Sequence, residues 1–507
     1  MKYGRLEVTN MRRAPSLRMI LVAFAVSLGG PFHFGYQLLI TNPAQSAFIR
    51  FFNETFDSEL HITVSGSTLD KIWSFIVAVL FLGALAGSFS IRPVADKIGR
   101  KRGLYLSLGI GVLSATASAC SKVIPSVLLY SCSRITVGYS AGLSLGLSAL
   151  FLSESSLKEC RGSIGMIIGM CVQLGILMGS ILAMPQIFGT VRLWYMIYVA
   201  EILMMLTFLI FLPFLPETPG YLVQKGTLEA AKKSLMFYFN CNDEAAEVHL
   251  IHIKEEQKLL ENSHTMVDVM KDASLRRKTF VGIVVMLAMS FSGSTGLNAL
   301  IVINAYAVEL LRSTGLTTFQ ASLANVGIVA VGMVAAVVSS MVVDKFGRRP
   351  LLLIALSGCL VCNVLIFSLL LAFNLCKCKV LGWILIATVC LFIVFIATGP
   401  GPLCYFITAE LVDQSARSGA QSWASVAQML SRFLVVIMFL PMKNSLGESW
   451  SYLLLFVLPI FAAIIFLYYH LPETKCRTAY EVDEAIANLP KFFTLMRKFK
   501  TPRIYAA

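Results

Sequence analysis

Asp96-Lys97-Ile98-Gly99-Arg100-Lys101-Arg102 separates two apolar runs, Ile72 to Ile91 and Leu104 to Cys120. The same device returns as Asp344-Lys345-Phe346-Gly347-Arg348-Arg349, between Val326 to Val343 and Leu351 to Phe373. The second copy starts 248 residues after the first (344 − 96), close to half of the 507-residue chain. One such loop reads as a basic turn at the lipid surface. Two in matching positions mark a chain built twice from one membrane-spanning unit.

Composition agrees. The chain is 57% hydrophobic and 14% charged, with mean hydropathy +0.76, whereas a soluble domain carries ~25% charged residues. The deficit comes from many uncharged runs long enough to span a bilayer. The net charge of +14 sits in short loops and tails. It therefore sets orientation and meets anionic lipid, and it implies no nucleic acid. The twelve cysteines lie mostly inside apolar runs, where a thiol acts as a small hydrophobe. Cys376 and Cys378 have no His or further Cys pair nearby, so neither a disulfide framework nor a metal site is expected. No cofactor motif occurs, and no cleavable signal peptide is evident.

In chain order, 1–18 is a basic tail, expected to be cytoplasmic, and 19–215 holds six helices. They are expected at 19–41, 70–91, 103–121, 125–150, 163–184 and 191–215. The loop 42–69 carries the sequon Asn53-Glu54-Thr55, a candidate glycosylation site on the outer face. Residues 216–278 are polar, with Ala230, Ala231, Leu235, then Val248, Ile251 and Leu259 at helical spacing. This predicts a cytoplasmic linker of short amphipathic helices. Six more helices fill 279–470, and 471–507 is a second basic tail. Twelve spans put both termini and all the basic clusters on one side, as the positive-inside rule requires. Trp73, Trp194, Trp383 and Trp450 fall at the opposite helix ends, where an interfacial belt is expected. The fold class expected is thus all-α, with two pseudo-symmetric six-helix bundles.

These features resemble the facilitative sugar transporter family of the major facilitator superfamily. The likeness spans about residues 15–480. It rests on Asp96 to Lys101, Arg134 with Gly138, Glu154 with Arg161-Gly162, Gln173-Leu174-Gly175-Ile176 and Pro216-Glu217-Thr218-Pro219. In the second half it rests on Gly296-Leu297-Asn298-Ala299, Asp344 to Arg349, Gly399-Pro400-Gly401-Pro402, Glu410 with Arg417, and Pro472-Glu473-Thr474-Lys475. Phe34-Gly35-Tyr36 and the sequon resemble the fructose- and urate-handling class.

The resemblance implies an intracellular gate of Asp96, Arg100, Arg134, Glu154, Arg161 and Glu217. Its second-half members are Asp344, Arg348, Glu410, Arg417 and Glu473. Glu and Arg at helix ends can pair across helices and must part for the halves to rock. The alternative is solvated loop charge of little energetic weight. Gln173 and Asn298 match sugar-binding amides, whose donors and acceptors suit hydroxyl groups. Gln37 and His33 on helix 1 are further candidates, with Gly35, Gly293 and Gly296 as bend points. The alternative for each polar residue is an interhelical hydrogen bond.

Departures from the family pattern are concentrated at the expected site. Ser292-Gly293 stands where the family has a Gln pair, Gly332 replaces an Asn, and Tyr405 a Trp. Gln428 replaces an Asn or His, Arg432 an Asn, and Gly220 an Arg. Ser292, Tyr405, Gln428 and Arg432 thus join the candidate solute contacts, and the site is expected to hold a cation.

The expected function is uniport of a small polar solute, a hexose with fructose ahead of glucose, through the plasma membrane. Alternatives are an organic-anion carrier with Arg432 as counter-charge, and a non-transporting sensor. No nucleophile–base pair points to an enzyme. Helix 1 has no Asp or Glu, and Glu201 and Glu309 are expected away from the midplane, so no proton coupling is expected.

Overall fold

The computed structural model describes residues 15–60, 64–157, 160–258, 265–294, 318–376, 379–475, 481 and 484–485. Among these residues every regular element is helical. The first bundle holds α1 (Leu17–Gly29), α2 (Pro31–Leu39), α3 (Gln45–Leu60), α4 (Gly66–Lys97), α5 (Arg100–Cys120), α6 (Val127–Ser155), α7 (Arg161–Leu182) and α8 (Tyr195–Phe211). Short helices follow: α9 (Pro219–Gln224), α10 (Leu228–Phe239), α11 (Asp243–Lys258) and α12 (Met266–Lys271). The second bundle opens with α13 (Ala273–Met289), ahead of the expected 279, because Asp272 caps its first turn through Ser274 N and Leu275 N. It continues with α14 (Thr318–Phe346), α15 (Arg348–Cys376), α16 (Lys379–Thr398), α17 (Pro400–Leu411), α18 (Gln414–Leu446), α19 (Glu448–Tyr452) and α20 (Leu458–His470).

Ten of these helices or helix runs are long and apolar enough to cross a membrane, and the pair α1–α2 makes an eleventh, bent by 43°. The remaining expected span begins as α13 and leaves the described residues after Ser294. Asn298 and Gly296 therefore lie outside them.

Two spans are broken by the same chemistry. Pro31 and Pro400 have no N–H to give the preceding turn. The glycine before each takes a similar non-helical conformation, φ −133° and ψ −74° at Gly30, φ −128° and ψ −87° at Gly399. The bend in the first span is thus at Gly30 and not at Gly35. Gly35 has another role, since a Cβ there would lie 2.0 Å from the Val172 carbonyl oxygen. Gly175 returns the contact against the Phe32 oxygen at 2.1 Å, so α2 and α7 touch backbone to backbone. Gly293, expected as a bend point, is one: φ is 101° within a π-turn that ends α13.

The expected loop 42–69 is largely the helix α3. Phe48, Phe51 and Phe52 on its inner face are buried against Trp73, Tyr130 and Trp194. Phe48 stacks on Trp73 with centroids 5.4 Å apart and lies 5.0 Å from Trp194. Trp73 and Trp194 are therefore sealed beneath α3 and form no interfacial belt, whereas Trp383 and Trp450 are 54% and 53% exposed. In the linker, Ala231 and Leu235 of α10 pack on Ala246 and Leu250 of α11. Val248 and Ile251 point outward instead of joining that apolar face. Trp423 of α18 ties α12 to the second bundle, its indole N–H donating to the Met266 carbonyl at 2.8 Å.

Asn53 is exposed on the outer side of α3. Expression in a eukaryotic host should give a glycosidase-sensitive mobility shift that Asn53→Gln abolishes. A shift that survives the substitution, or protease protection of this segment on sealed cells, would reverse the expected orientation.

Candidate functional site: two matched clasps around a cavity

The repeated loop builds the same structure twice. Arg100 at the start of α5 is buried and donates to Glu154 of α6 from Nη2 at 2.8 Å and Nε at 3.2 Å. The other Glu154 oxygen accepts from the Thr218 hydroxyl at 2.7 Å. Glu217 accepts from the Lys101 backbone N–H at 3.0 and 3.1 Å. It thereby caps α5, whose N-cap glycine has no side chain to do so.

In the second half Arg348 faces Glu410, with Nε 3.4 Å from Oε2. Thr474 donates to Glu410 at 2.6 Å. Glu473 accepts from the backbone N–H groups of Arg348 and Arg349 at 3.0 and 3.1 Å. Glycine is required at the hinge of each clasp. Gly99 has φ 105° and Gly347 φ 92°, a region open chiefly to glycine. A Cβ on either would also come within 2.6 Å of the capping carboxylate, Glu217 or Glu473. Burial raises the Glu217 carboxyl above its ordinary range, against the pull of the Lys101 and Thr218 N–H groups.

Sequence reasoning named the charged members but missed Thr218 and Thr474. The signal was available, since Pro-Glu-Thr follows the last apolar run of each half.

The remaining expected gate residues divide. Asp96 pairs with Arg92 at 3.2 Å and lies beside Ser418, so it faces from α4 toward α18. Phe89 and Trp423 make a second crossing contact at 6.5 Å. Arg161 begins α7, and Arg417 occupies the matching place near the start of α18. Asp344 falls in the last turns of α14, and its side chain lies outside the described set.

Arg134 is not at the clasp. It lies two turns into α6, is 1% exposed, and donates to the Gln37 side-chain oxygen. Gln37 in turn donates to Glu201 at 2.6 Å, and Glu201 pairs with His33. Three elements of the first bundle, α2, α6 and α8, are thus joined by one buried polar chain. Glu201 belongs to this chain and is bound on both sides within it. A carboxylate inside an apolar run is itself the sequence signal for such a partner set.

Between the halves lies a cavity. Leu38 and Leu39 of α2 and Gly169, Val172, Gln173 and Ile176 of α7 line one wall. Met289, Ala336, Ile396, Ala397, Gly401, Pro402, Tyr405 and Arg432 line the other. Its side-chain polar groups are Gln173, Tyr405 and Arg432. Gln173 donates to the Val329 carbonyl at 3.3 Å, a contact from the first half to the second. A Cβ on Gly332 would lie 2.7 Å from the Gln173 amide nitrogen, so the glycine leaves room for this reach. Ser292 does not line the cavity: its hydroxyl donates to the Met289 carbonyl at 2.7 Å. Gln428 donates to the Met289 sulfur at 3.2 Å and lies beside the Tyr405 hydroxyl. His33 and Gln37 are held in the polar chain described above and are not part of the lining.

Two matched bundles, paired clasps and a cavity on the axis between them define a transporter architecture. Comparison with known proteins agrees. The family model "Sugar (and other) transporter" matches residues 22–486. The chain belongs to this family of the major facilitator superfamily, a family of transporters rather than of enzymes. Relatives include the rabbit (Oryctolagus cuniculus) solute carrier family 2, facilitated glucose transporter member 3, 28% identical over 467 residues, 92% of each chain. The human member 4 is 27% identical over 479 residues, covering 93% of this chain and 91% of its own. Facilitated glucose transporter protein 1 of Caenorhabditis elegans is 28% identical over 470 residues, covering 91% and 89%. Among solved structures, the proton:xylose symporter XylE bound to 6-bromo-6-deoxy-D-glucose superposes with TM-score 0.75 at 23% identity, over 92% of this chain and 99% of that one. The inward-open xylose transporter XylE from E. coli gives 0.67 at 22% identity, with coverage of 92% and 99%. These likenesses establish the major facilitator fold.

Removing one partner of a buried pair leaves an uncompensated charge, a loss of about 3–5 kcal/mol. Arg100→Ala and Arg348→Ala should therefore each lower the thermal midpoint of the purified protein. Each should also slow solute exchange more than it weakens solute binding. A changed binding constant at an unchanged exchange rate would put these arginines at the solute instead.

Proposed function

We propose that the protein is a facilitative uniporter that moves a hexose, fructose ahead of glucose, by alternating access. The observation that carries this reading is the cavity on the axis between two clasped bundles. Its walls come from both halves, so rocking one half against the other would expose it to one side at a time. Relatives named as facilitated glucose transporters support the substrate class. On this reading the clasp face is cytoplasmic, both termini lie on that side, and the membrane is the plasma membrane. Asp96, Arg100, Glu154, Glu217 and Thr218, with their second-half counterparts, would hold the inner gate. Gln173, Tyr405 and Arg432 would meet the solute.

A second reading is carriage of an organic anion, favoured by the cationic Arg432 in the cavity wall. A non-transporting sensor is separated from both by the presence of any flux.

Uniport is supported by the placement of the buried His33–Glu201 pair. It lies within the first bundle and does not line the cavity. A coupling proton must alter the solute-binding equilibrium, and a group remote from the solute does so poorly.

The test is uptake of labelled fructose and glucose into proteoliposomes, with and without an inward proton gradient. Uptake should approach the external concentration and stop. Accumulation above it that collapses with a protonophore and disappears in His33→Ala would refute uniport and make His33 the coupling residue.

A further inference from the structure

Arg432 is the one cavity-lining residue whose charge the described surroundings do not balance. Its side chain is 1% exposed. Nη2 lies 3.0 Å from the Met289 sulfur, a weak acceptor. Among the described residues Nε and Nη1 have no hydrogen-bond partner, though the neutral Tyr405 hydroxyl lies beside the guanidinium. The guanidinium carbon sits 5.4 Å from the centre of the Phe34 ring and 5.9 Å from that of Phe81. Both rings belong to the first half, so the cation is held against them across the interface. Ring faces offset part of a desolvation cost, but they accept no hydrogen bond along the N–H directions.

Three other buried arginines show what this environment ordinarily requires. Arg100 and Arg348 face Glu154 and Glu410, and Arg134 is met by Gln37. Among the described residues no carboxylate forms an ion pair with Arg432, and none lines the cavity. A charged residue at such depth persists where it has a functional partner. A neutral sugar could accept hydrogen bonds from the guanidinium but would leave its charge uncompensated.

We infer that the missing partner is the solute itself, a hexose-sized monoanion whose carboxylate accepts at the Nη1–Nη2 end of Arg432, where Nη1 is unpartnered and Nη2 meets only the Met289 sulfur. This inference rests on the reading of the cavity as the transport site and deepens the anion-carrier reading. Planar carboxylates suit a guanidinium better than an ammonium, because several N–H groups lie in one plane. Gln173 and Tyr405 then remain for hydroxyl groups on the same ring. If the carrier moves one negative charge per cycle, uptake should respond to membrane potential.

The experiment uses the full chain in proteoliposomes, with D-glucuronate and D-glucose as probes. They share a ring and differ by the carboxylate at C6. Wild-type protein should take up glucuronate at least about tenfold faster than glucose at equal concentration, the scale of a charge-assisted contact. An inside-positive potential should accelerate that uptake. Arg432→Gln should lose the glucuronate preference and the potential response, whereas Arg432→Lys should keep part of both.

Glucose uptake equal to or above that of glucuronate in the wild type would overturn the inference and leave the carrier reading standing. Glucuronate uptake that ignores potential would do the same. A thermal-shift measurement on purified protein separates the remaining cases. Stabilisation of the wild type by glucuronate, absent in Arg432→Gln and without flux, upholds the anion site and removes the carrier reading. Neither flux nor stabilisation overturns both.

Discussion

A guanidinium buried at the end of a membrane helix needs a carboxylate, and this chain meets that requirement twice with the same parts. Arg100 and Arg348 begin helices, Glu154 and Glu410 come from the next span, and Glu217 and Glu473 arrive from beyond the sixth and twelfth. Each clasp therefore gathers three separate segments to one point. A buried ion pair is weak evidence for stability in itself, because desolvation offsets much of the attraction. Its value here is geometric. The arginine, its carboxylate and the capping carboxylate have one low-energy arrangement, so the helix ends of each bundle are placed as a unit. Asp96, one turn before the first clasp, is then in position to reach Ser418 of the other half.

What connects the halves is of a different kind. Contacts that cross between the halves include Asp96 beside Ser418, Phe89 with Trp423, Gln173 to the Val329 carbonyl, Arg432 over Phe34 and Phe81, and Gly169 packed against Pro402. The buried pairs of each clasp stiffen its own half, and stiff units are what rigid-body rocking asks for. The Gly-Pro breaks at Gly30 and Gly399 bend spans that supply cavity wall. The backbone contact of α2 with α7 through Gly35 and Gly175 brings two of the first half's walls together.

The fold was legible because its signals are local and repeated: apolar run lengths, basic loops, and a motif recurring at half the chain. The clasp was legible for the same reason. What failed to show was depth. Arg134 reads as one more charge near a helix start, yet its α6 neighbours carry it into the bundle, where it meets Gln37. Trp73 and Trp194 sit at helix ends as an interfacial belt would, but no pattern said that Phe48 and Phe51 on a separate helix would cover them. Gly35 and Gly30 lie on the same span, and only the following proline distinguishes the bend from the packing contact. Gln173 was named as a solute amide, while its present bond to the Val329 carbonyl depends on Gly332, far away in sequence.

On the proposed gating reading, the capping carboxylates hold the clasp face closed by fixing the helix ends within each half. Pulsed electron paramagnetic resonance tests it on a cysteine-depleted chain labelled at Arg102→Cys and Phe346→Cys. These are exposed positions on opposite halves of that face. With Glu217→Gln and Glu473→Gln together, the distance distribution should move to longer separations than in the chain that retains both carboxylates, as the halves part. An unchanged distribution in the folded double variant would contradict the account.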